Sequence, residues 1–567
     1  MIDFDRIPVS RRKFVGGSAA AAGALALAGC SSSDSDSGST SGSASTSSDS
    51  SSSTLSDNTM IIYLSEPSYI DPYCVGETSG AEVMNTVFDT LYTWDWDAGA
   101  ITPLAAAALP EVSDDGLVYT ITLNEGMTFH NGDAVDAASF KRGWERAVDP
   151  TMAVPSSTAY HFAPIVGYDE YAAGEADEMT GVVAVDDLTL QVTLQYAWAD
   201  FGAVLCHQSF SPVPEVALED PEGFLELPIG NGPFYMTEEW QHNQYINCAR
   251  FDDYYGDTPS IDGVYFAIYD SKDTAYNEFQ AGTIDFSPIS TGLIPDAIEA
   301  YGESEDGYTV TPGHQVLLGS KCATDWMACN TTVAPLDDVD VRHAISLAIN
   351  RDNICETLYD GARVPANSIV PPVLDTEGTC EWEYCTYDPD KAAELLDKNY
   401  PLGDDGTRGI DITFSFSSTT GTIQDIAASI ESDLEAVGIS VTEEQLETSV
   451  LYSNMNDGNY QLGYSGWTCD YPILDNFMYP CFYSTSGDNS SQYSDADLDA
   501  ALEAARQIQD DDERRAAYGE ICQTLSDAQP VIPIMFDAYD MVGSERIESF
   551  YYDPQVMPDF VHAELNV

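Results

Sequence analysis

Serine, histidine and carboxylate side chains that could hydrolyse a substrate are present in this chain, but their spacing matches no established catalytic motif. The stretch Gly463-Tyr464-Ser465-Gly466-Trp467 differs at its last position from the GxSxG turn that exposes a nucleophilic serine. The sequence contains no HExxH zinc motif and no Walker phosphate-binding loop. The seven histidines are scattered, at positions 130, 161, 207, 242, 314, 343 and 562. The sequence therefore predicts that the protein is not an enzyme.

Carboxylates are by far the most abundant titratable groups. The chain has 95 Asp and Glu residues against 20 Lys and Arg, a net charge of −75. A carboxylate pair could hydrolyse a glycosidic bond, but nothing in the sequence singles out one pair, so a hydrolase stays an alternative. The charge excludes nucleic acid as a partner, because phosphate would be repelled. The acidic surface could serve solubility alone or could favour cationic ligands, and both interpretations stay open.

The first thirty residues indicate export and modification of a cysteine. Arg11 and Arg12 precede an apolar run that ends at Gly29 and is shorter than the about 20 residues of a membrane span. Such twin arginines favour the export route that carries folded proteins. Leu27-Ala28-Gly29-Cys30 resembles a bacterial lipobox, which implies cleavage before Cys30 and a diacylglycerol on its thiol. An ordinary signal peptide with a chance cysteine is the alternative.

We therefore expect residues 1–29 to be a twin-arginine lipoprotein signal peptide and residues 30–57 to be a lipidated Cys and a Ser/Gly-rich tether. The tether is almost pure Ser, Gly, Thr and Asp, which cannot bury enough apolar surface to fold. The expected location of the mature protein is the extracellular face of the cell membrane, where the lipid holds it.

The remaining cysteines predict disulfides rather than a metal site. Of 12 cysteines Cys30 is assigned to the lipid, and the other 11 would lie in an oxidising compartment. An odd number leaves at least one free thiol. Cys380 and Cys385 could close a small loop, while other pairings stay open. No CxxC-type pair with a nearby His occurs, so neither a metal nor a cofactor is predicted.

Hydrophobic periodicity predicts strands and helices that alternate irregularly. The patterns predict strands at 61–64, 119–123 and 188–194, and helices at 81–91, at 339–349 and after an N-cap at Ser494. Because both kinds of element are mixed along a chain with no internal repeat, we predict an α/β fold with more than one lobe.

A series of short motifs runs in order along nearly the whole mature chain. It includes Ile70-Asp71-Pro72, Phe129-His130-Asn131-Gly132, Gly230-Asn231-Gly232-Pro233-Phe234, Val341-Arg342-His343-Ala344-Ile345 and Gly466-Trp467-Thr468-Cys469-Asp470-Tyr471. Each is weakly specific alone, but their order and spacing resemble the solute-binding proteins of peptide-type ABC importers, the oligopeptide- and dipeptide-binding family. Two of the histidines lie inside these motifs and are interpreted as structural.

The resemblance implies a three-lobed clamshell with mixed sheets, which closes on its ligand about a hinge. By analogy, lobe I takes residues 58–88, 215–321 and 536–567. Lobe II takes residues 89–214, and lobe III takes residues 322–535. The ligand would be held in the cleft between the lobes.

The resemblance also implies a set of ligand-binding residues: Asp470, Trp467, Gly466, Thr468, Cys469 and Thr78. In peptide-binding relatives the aspartate of this motif pairs with the ligand's α-ammonium group, a role that carries over to Asp470. Trp467 would form a wall of the pocket. The alternative for Asp470 is a turn residue that only caps local backbone, and for Trp467 a core aromatic.

Two extended segments would grip the peptide backbone. Residues 466–469 would run along the cleft, opposite a second strand at Thr78, and bind the ligand by β-augmentation. Some relatives bridge positions near Cys322 and Cys469, although other pairings are equally open. The sequence departs from the family where some relatives carry an arginine, because residues 462–465 contain no cation. Ser156 aligns with a ligand-contacting tyrosine, and Tyr160 lies nearby in sequence.

The resemblance implies a carrier that delivers di- to oligopeptides to the transmembrane subunits of an ABC permease. We expect a monomer without a cofactor, attached to the membrane by its lipid. A family member for a non-peptide solute (an oligosaccharide, an opine or a nickel chelate) is the first alternative, and an exported hydrolase is the second.

Overall fold

The computed structural model describes residues 55–417 and 421–567. The predicted signal peptide, the lipidation site Cys30 and the tether up to residue 54 lie outside the described residues. Within that part of the chain, no helix combines the length and apolarity needed to cross a membrane.

The strands are short and come from all parts of the described chain. They are β1 (Thr59–Leu64), β2 (Tyr92–Asp95), β3 (Ala100–Pro103), β4 (Glu111–Val112), β5 (Val118–Thr122), β6 (Val182–Asp186), β7 (Thr189–Thr193), β8 (Phe234–Met236), β9 (Tyr245–Arg250), β10 (Gly263–Ile268), β11 (Phe286–Pro288), β12 (Thr309–Val310), β13 (Val316–Leu317), β14 (Ser320–Cys329), β15 (Val364–Pro365), β16 (Ile410–Ser417), β17 (Ile439–Leu446), β18 (Leu462–Thr468), β19 (Val531–Ala538), β20 (Met541–Gly543), β21 (Ile547–Tyr551) and β22 (Glu564–Leu565).

The helices lie between these strands without strict alternation. They are α1 (Thr78–Val87), α2 (Ala137–Val148), α3 (Tyr168–Ala172), α4 (Phe201–Val204), α5 (Val216–Glu219), α6 (Pro221–Glu226), α7 (Lys272–Gln280), α8 (Ile294–Tyr301), α9 (Val339–Ala348), α10 (Arg351–Leu358), α11 (Pro389–Asp397), α12 (Gly421–Ala436), α13 (Thr448–Asn456), α14 (Tyr479–Phe482), α15 (Ala496–Arg506) and α16 (Asp511–Ala528). Three 3₁₀ turns span Ala159–Phe162, Gln208–Phe210 and Leu474–Phe477.

The largest sheet is assembled from segments far apart in sequence. Its strands run in the order β13-β20-β11-β1-β10-β9-β8. Strand β1 is parallel to both of its neighbours, β10 and β11. Met60, Ile62 and Leu64 of β1 are buried, whereas Ile61 and Tyr63 are half-buried, as the period of two in a strand requires. The chain leaves this sheet after β1 and returns to it twice.

The second sheet is antiparallel and has the order β4-β5-β7-β6. Tyr119 and Ile121 of β5 and Leu190 and Val192 of β7 share one core with Trp144 of α2. Helix α2 begins at a capping box, in which Asp136 accepts from the Ser139 backbone N–H and the Ser139 hydroxyl interacts with the cap residue in return.

The third sheet, β15-β19-β14-β18-β16-β17, has a hydrophobic core on each face. Along β14, Met327 belongs to one core, and its neighbours Trp326 and Ala328 belong to the other. Successive side chains of a strand point to opposite faces, so this alternation means that both faces are covered. Strand β18 is central in this sheet, and the residues predicted to bind ligand lie at its carboxyl end.

The mixed α/β fold class is confirmed by these sheets and helices. The predicted strands correspond to β1, β5 and β7, and the predicted helix at 339–349 corresponds to α9. The first, second and third sheets draw their strands mainly from the segments assigned to lobes I, II and III. The boundaries of the lobes stay a prediction.

Two helix starts differ from the sequence prediction, and α1 also ends at Val87 rather than at residue 91. The helix predicted at 81–91 is α1, which begins three residues earlier because Glu77 accepts from the backbone N–H groups of Ser79 and Gly80. The N-cap of α15 is Asp495 rather than Ser494. Asp495 directly precedes the first helical residue, so its carboxylate reaches the free backbone N–H groups of the first turn.

The predicted Cys380–Cys385 loop is wrong, because Cys380 forms a disulfide with Cys522, at a Cα–Cα distance of 5.5 Å. The segment that carries Cys380 packs on α16, where the Trp382 indole N–H lies 3.2 Å from Cys522 Sγ. Cys385 is buried and free, and so are Cys322 and Cys469. Among the described residues nine cysteines are free and one disulfide is formed, in agreement with the prediction of at least one free thiol.

A buried ion pair joins the cores of the first and second sheets. Arg146 of α2 donates from Nη1 to Asp71 Oδ1 at 2.5 Å and from Nη2 to Asp71 Oδ2 at 2.7 Å, and both residues are at most 2% exposed. The guanidinium also lies 4.3 Å from the centre of the Tyr73 ring. A bidentate pair of this kind is costly to break, because either partner left alone is an uncompensated buried charge.

We predict that Asp71→Asn lowers the free energy of unfolding by about 3 kcal/mol or more, because it leaves the Arg146 guanidinium without a counter-charge. Urea and thermal unfolding monitored by circular dichroism measure the change. Glu178→Gln is the control: it removes a pair of similar length, Lys141 Nζ to Glu178 Oε2 at 2.6 Å, on the exposed surface, and we expect little change. Equal losses in the two variants would contradict the prediction.

Candidate functional site

A cleft of about 870 Å³ opens beside the carboxyl end of β18. Its wall is acidic and aromatic. The carboxylates that line it are Asp89, Asp95, Asp97, Glu125, Asp257, Asp470, Asp553 and Asp559. The indole and phenol rings that line it are Tyr92, Trp94, Trp96, Tyr254, Tyr255 and Tyr551. Among the described residues of this wall there is no lysine or arginine, so the cleft has a strongly negative potential.

Asp470 is the one residue of the predicted binding set that lines this cleft. Its Oδ2 atom accepts from the Tyr160 hydroxyl at 3.1 Å and from Asn476 Nδ2 at 3.0 Å. Within the described residues, its other oxygen, Oδ1, accepts no hydrogen bond. Burial raises the pKa of Asp470, while His207 and the two hydrogen bonds act in the opposite direction. The site therefore presents a half-buried carboxyl group with one oxygen available.

Asn476 holds Asp470 and Trp467 in place, a role that sequence reasoning missed. Its side chain is fully buried. Its Oδ1 atom accepts from the Asp470 backbone N–H at 2.9 Å and from the Trp467 indole N–H at 3.0 Å, while its Nδ2 donates to the Asp470 carboxylate. No pattern in the sequence marks this asparagine. One amide thus holds both the Asp470 carboxylate and the Trp467 indole in place.

The predicted extended segment is formed by β18, which pairs with β14 along its length. Gly466 lies opposite Asp325, and a Cβ at this position would approach Thr324 O to 2.7 Å, so the strand needs glycine here. Thr468 is exposed and Cys469 is buried. The Cys469 backbone N–H donates to Cys322 O at 2.9 Å, although the two thiols are not bonded.

The predicted second strand at Thr78 is absent. Thr78 is the exposed first residue of α1, and the Glu77 cap determines this helical geometry. A helical residue cannot present a row of backbone donors and acceptors to an extended peptide. The prediction that Thr78 belongs to a second gripping strand is therefore wrong.

Two of the apparently scattered histidines meet Asp470. His161 lies in a 3₁₀ turn, His207 precedes another, and one donor atom from each, together with a carboxylate oxygen of Asp470, lies within 4.8 Å of the other two. The centres of the two imidazole rings are 4.4 Å apart. Burial lowers the pKa of both histidines to about 3, so both are neutral at neutral pH. Sequence separation conceals this cluster, because the two turns meet only in the folded chain.

His130 and His343 have structural roles in the fold. His130 Nε2 bonds with Gly232 O at 3.0 Å, and its Nδ1 accepts from the Gly230 backbone N–H. His343 Nε2 bonds with Asp527 O at 3.0 Å. Each ring ties separate parts of the chain together through backbone groups.

Comparison with known proteins identifies the family of this chain. The family model "Bacterial extracellular solute-binding proteins, family 5 Middle" matches residues 100–489, more than half of the sequence. The chain is 26% identical over 510 residues to the glutathione-binding protein GsiB of Salmonella paratyphi A, covering 88% of this chain and 92% of that protein. It is 24% identical to the oligopeptide-binding protein OppA of Bacillus subtilis, covering 85% of this chain and 88% of OppA.

Solved structures show the same fold. The OppA of Haemophilus influenzae, in complex with the peptide RPPGFSPFR, superposes with a TM-score of 0.72 at 22% identity, covering 90% of this chain and 100% of that one. The DppA of Helicobacter pylori, in complex with the peptide STSA, superposes with a TM-score of 0.72 at 22% identity, covering 90% of this chain and 98% of that one. The predicted architecture of a periplasmic binding protein is thereby confirmed.

We predict that Asn476→Asp destabilises the protein by about 1–3 kcal/mol at neutral pH, because it replaces the Nδ2 donor by a second carboxylate beside Asp470. Two adjacent carboxylates raise each other's pKa in the folded state, so the folded protein binds more protons than the unfolded chain below this raised pKa. The loss in free energy of unfolding relative to wild type should therefore become smaller as the pH falls below the raised pKa.

Urea unfolding at several pH values between 4 and 8 measures this dependence. Asn476→Leu is the uncharged control: it removes the bond from Nδ2 to Asp470 and also the two that Oδ1 accepts, without adding a charge. Its deficit should vary much less with pH. A deficit of Asn476→Asp that is constant with pH would show that the two carboxylates do not interact.

Proposed function

We propose that this chain, which belongs to family 5 of the bacterial extracellular solute-binding proteins, captures peptides by their free amino group at Asp470 and delivers them to an ABC permease. The observation that carries the proposal is the Asp470 carboxylate at the wall of the cleft, with Oδ2 held by neutral donors and Oδ1 available. An ammonium group that enters a half-buried site and meets a carboxylate there is both held and oriented.

The backbone of the ligand would extend along β18. This strand pairs with β16 only near its start, at Leu462 and Gly463, so the edge that follows is available for β-augmentation among the described residues. Such main-chain pairing gives affinity that does not depend on the ligand's side chains. Trp467, fixed by Asn476, would support this segment.

The charge of the cleft supports a preference for cationic peptides. Eight carboxylates line it, and indole and phenol rings among them can contact a cation through their faces. No described lining residue is a lysine or arginine, so a terminal carboxylate of the ligand has neither of these side chains to pair with. Peptides with basic side chains and with the carboxyl end near the cleft opening fit this charge best.

The amino-terminal segment would keep the carrier near its importer. We propose export by the twin-arginine route, a lipid on Cys30 and a flexible Ser/Gly-rich tether. Tethering raises the effective concentration of the carrier at the permease without requiring a tight contact. Under this proposal the protein acts as a monomer at the outer face of the membrane.

We predict that wild-type protein binds a peptide with a free amino terminus about 30-fold or more tightly than its N-acetylated form, because acetylation removes the charge that Asp470 pairs with. Asp470→Asn should bind both forms alike. Isothermal calorimetry with a small library of di- to pentapeptides measures both affinities. Asp257→Asn, which removes an exposed carboxylate of the same cleft, should keep the discrimination. Unchanged discrimination in Asp470→Asn would refute the assignment of this anchor.

We further predict that amidation of the ligand's carboxyl terminus increases affinity about 5-fold, because it removes a negative charge from an acidic cleft. The gain should decrease as salt is added, since screening weakens the repulsion. Calorimetry of one Lys-containing peptide in acid and amide forms, at low and high ionic strength, measures both effects. Tighter binding of the free acid would contradict the proposal.

The same library tests the alternatives. Binding of oligosaccharides or opines without binding of peptides would assign the chain to a non-peptide solute. Release of products from any of these compounds by the purified protein would favour a hydrolase.

A further inference from the structure

We propose that His161, His207 and Asp470 bind a divalent transition-metal ion at the inner wall of the cleft. Two imidazoles and one carboxylate form a typical set of three protein ligands, which leaves a coordination position for water or a bound molecule. His207 and Asp470 line the cleft, so this open position would face the space that receives the solute. The inference concerns the metal alone and does not depend on the peptide proposal.

The distances suit a shared ion. The three donor atoms lie within 4.8 Å of one another. Donors bound to one tetrahedral ion at about 2.1 Å lie about 3.4 Å apart, so two side chains would together need to approach by at most about 1.4 Å. Tyr160 and Asn476 already orient the carboxylate through Oδ2, as outer partners orient a metal ligand.

His161 provides the independent observation that points to a ligand. Its side chain is buried, with 3% of the residue exposed, and neither ring nitrogen has a hydrogen-bond partner among the described residues. A buried polar group without a partner is unfavourable and rare in folded proteins. An ion that accepts the lone pair of one nitrogen satisfies that nitrogen and leaves only the N–H of the other without a partner among the described residues.

His207 accepts one long hydrogen bond, which metal binding would break. Its Nδ1 atom accepts from the Ser209 backbone N–H at 3.3 Å. If Nδ1 binds the ion, its lone pair is no longer available to Ser209. If Nε2 binds the ion, Nδ1 carries the proton and faces another N–H. Either arrangement gives up this long hydrogen bond, whose loss is small compared with a metal–nitrogen bond.

His242, which also lies beside carboxylates, provides a comparison for His161 in the proposed metal site. His242 contacts Glu66 Oε1 through Nδ1 and Glu226 Oε2 through Nε2, each at 2.9 Å, and its side chain is 48% exposed. Both of its nitrogens are already paired and solvated. It therefore lacks the unpaired, buried donor that distinguishes the first cluster.

Metal titration of the purified, chelator-treated protein tests the site. Co²⁺ is followed by its visible absorption and Zn²⁺ by calorimetry, and we expect one ion per chain. His161→Leu and His207→Leu should each weaken binding about 100-fold or more, since loss of a ligand costs more than loss of an outer partner. His242→Leu should bind as wild type does. Asp470→Asn, which keeps the size of the side chain, should also lose the ion.

Thermal unfolding separates these outcomes from misfolding. His161→Leu removes an unsatisfied polar group, so the metal-free variant should be folded and at least as stable as wild type. Zn²⁺ should raise the midpoint temperature of thermal unfolding for wild type and for His242→Leu, but not for His161→Leu. Failure of wild type to bind an ion, or unchanged binding in His161→Leu, would overturn the metal site.

Peptide binding distinguishes this proposal from the amino-group anchor. Histidine variants that lose peptide affinity while wild type binds no ion would overturn the metal site and leave the anchor intact. An Asp470→Asn variant that loses the ion but keeps its discrimination against acetylated peptides would support the metal site and refute the anchor.

Discussion

The site depends on one electrostatic constraint: Asp470 is a half-buried carboxylate that the fold supports with neutral donors instead of a cation. Two fully buried aspartates are paired with arginine: Asp71 faces Arg146, and Asp475 receives three hydrogen bonds from Arg506. Asp470, in contrast, receives side-chain hydrogen bonds from Tyr160 and Asn476 alone among the described residues. Because an unpaired charge in a low dielectric is unfavourable, the carboxylate has a strong tendency to bind a cation from outside the chain.

Contacts between the second and third sheets surround this carboxylate. Arg506 of α15 is paired with Asp475. Its Nη1 also donates to the Tyr196 hydroxyl at 3.3 Å, and its backbone carbonyl accepts from the Ala199 N–H. Tyr160 reaches Asp470 from the same side. Water can replace these polar contacts at a modest net cost, whereas Tyr471 and Ile473, which are buried in the core of the second sheet, would lose apolar contacts on opening. The buried Asp475–Arg506 pair would remain intact if they opened, which suits a hinged closure.

The sequence predicts well what depends on local pattern and poorly what depends on distant parts of the chain. A short apolar run predicted β1, alternating residues predicted β5 and β7, and an ordered set of motifs led to the family and to Asp470. Thr78 was misassigned because a neighbouring Glu77 cap determines its backbone. The cysteine pair was wrong because Cys522 approaches from 142 residues away. His161, His207 and Asn476 were missed because only the assembled turns bring them to Asp470.

An unpaired carboxylate also links binding to closure. While the cleft is open, water solvates Asp470, and a bound cation contributes little. If the lobes close as proposed, water would leave and the effective dielectric would fall, so the attraction between the carboxylate and any cation, whether ammonium or metal ion, would increase. An unliganded closed form would lose the same solvation without this gain. A cationic ligand would therefore bind the closed form more tightly, and this difference in affinity would shift the population towards closure. The acidity of the surrounding wall acts in the same direction, because each further carboxylate raises the cost of closing on an empty site.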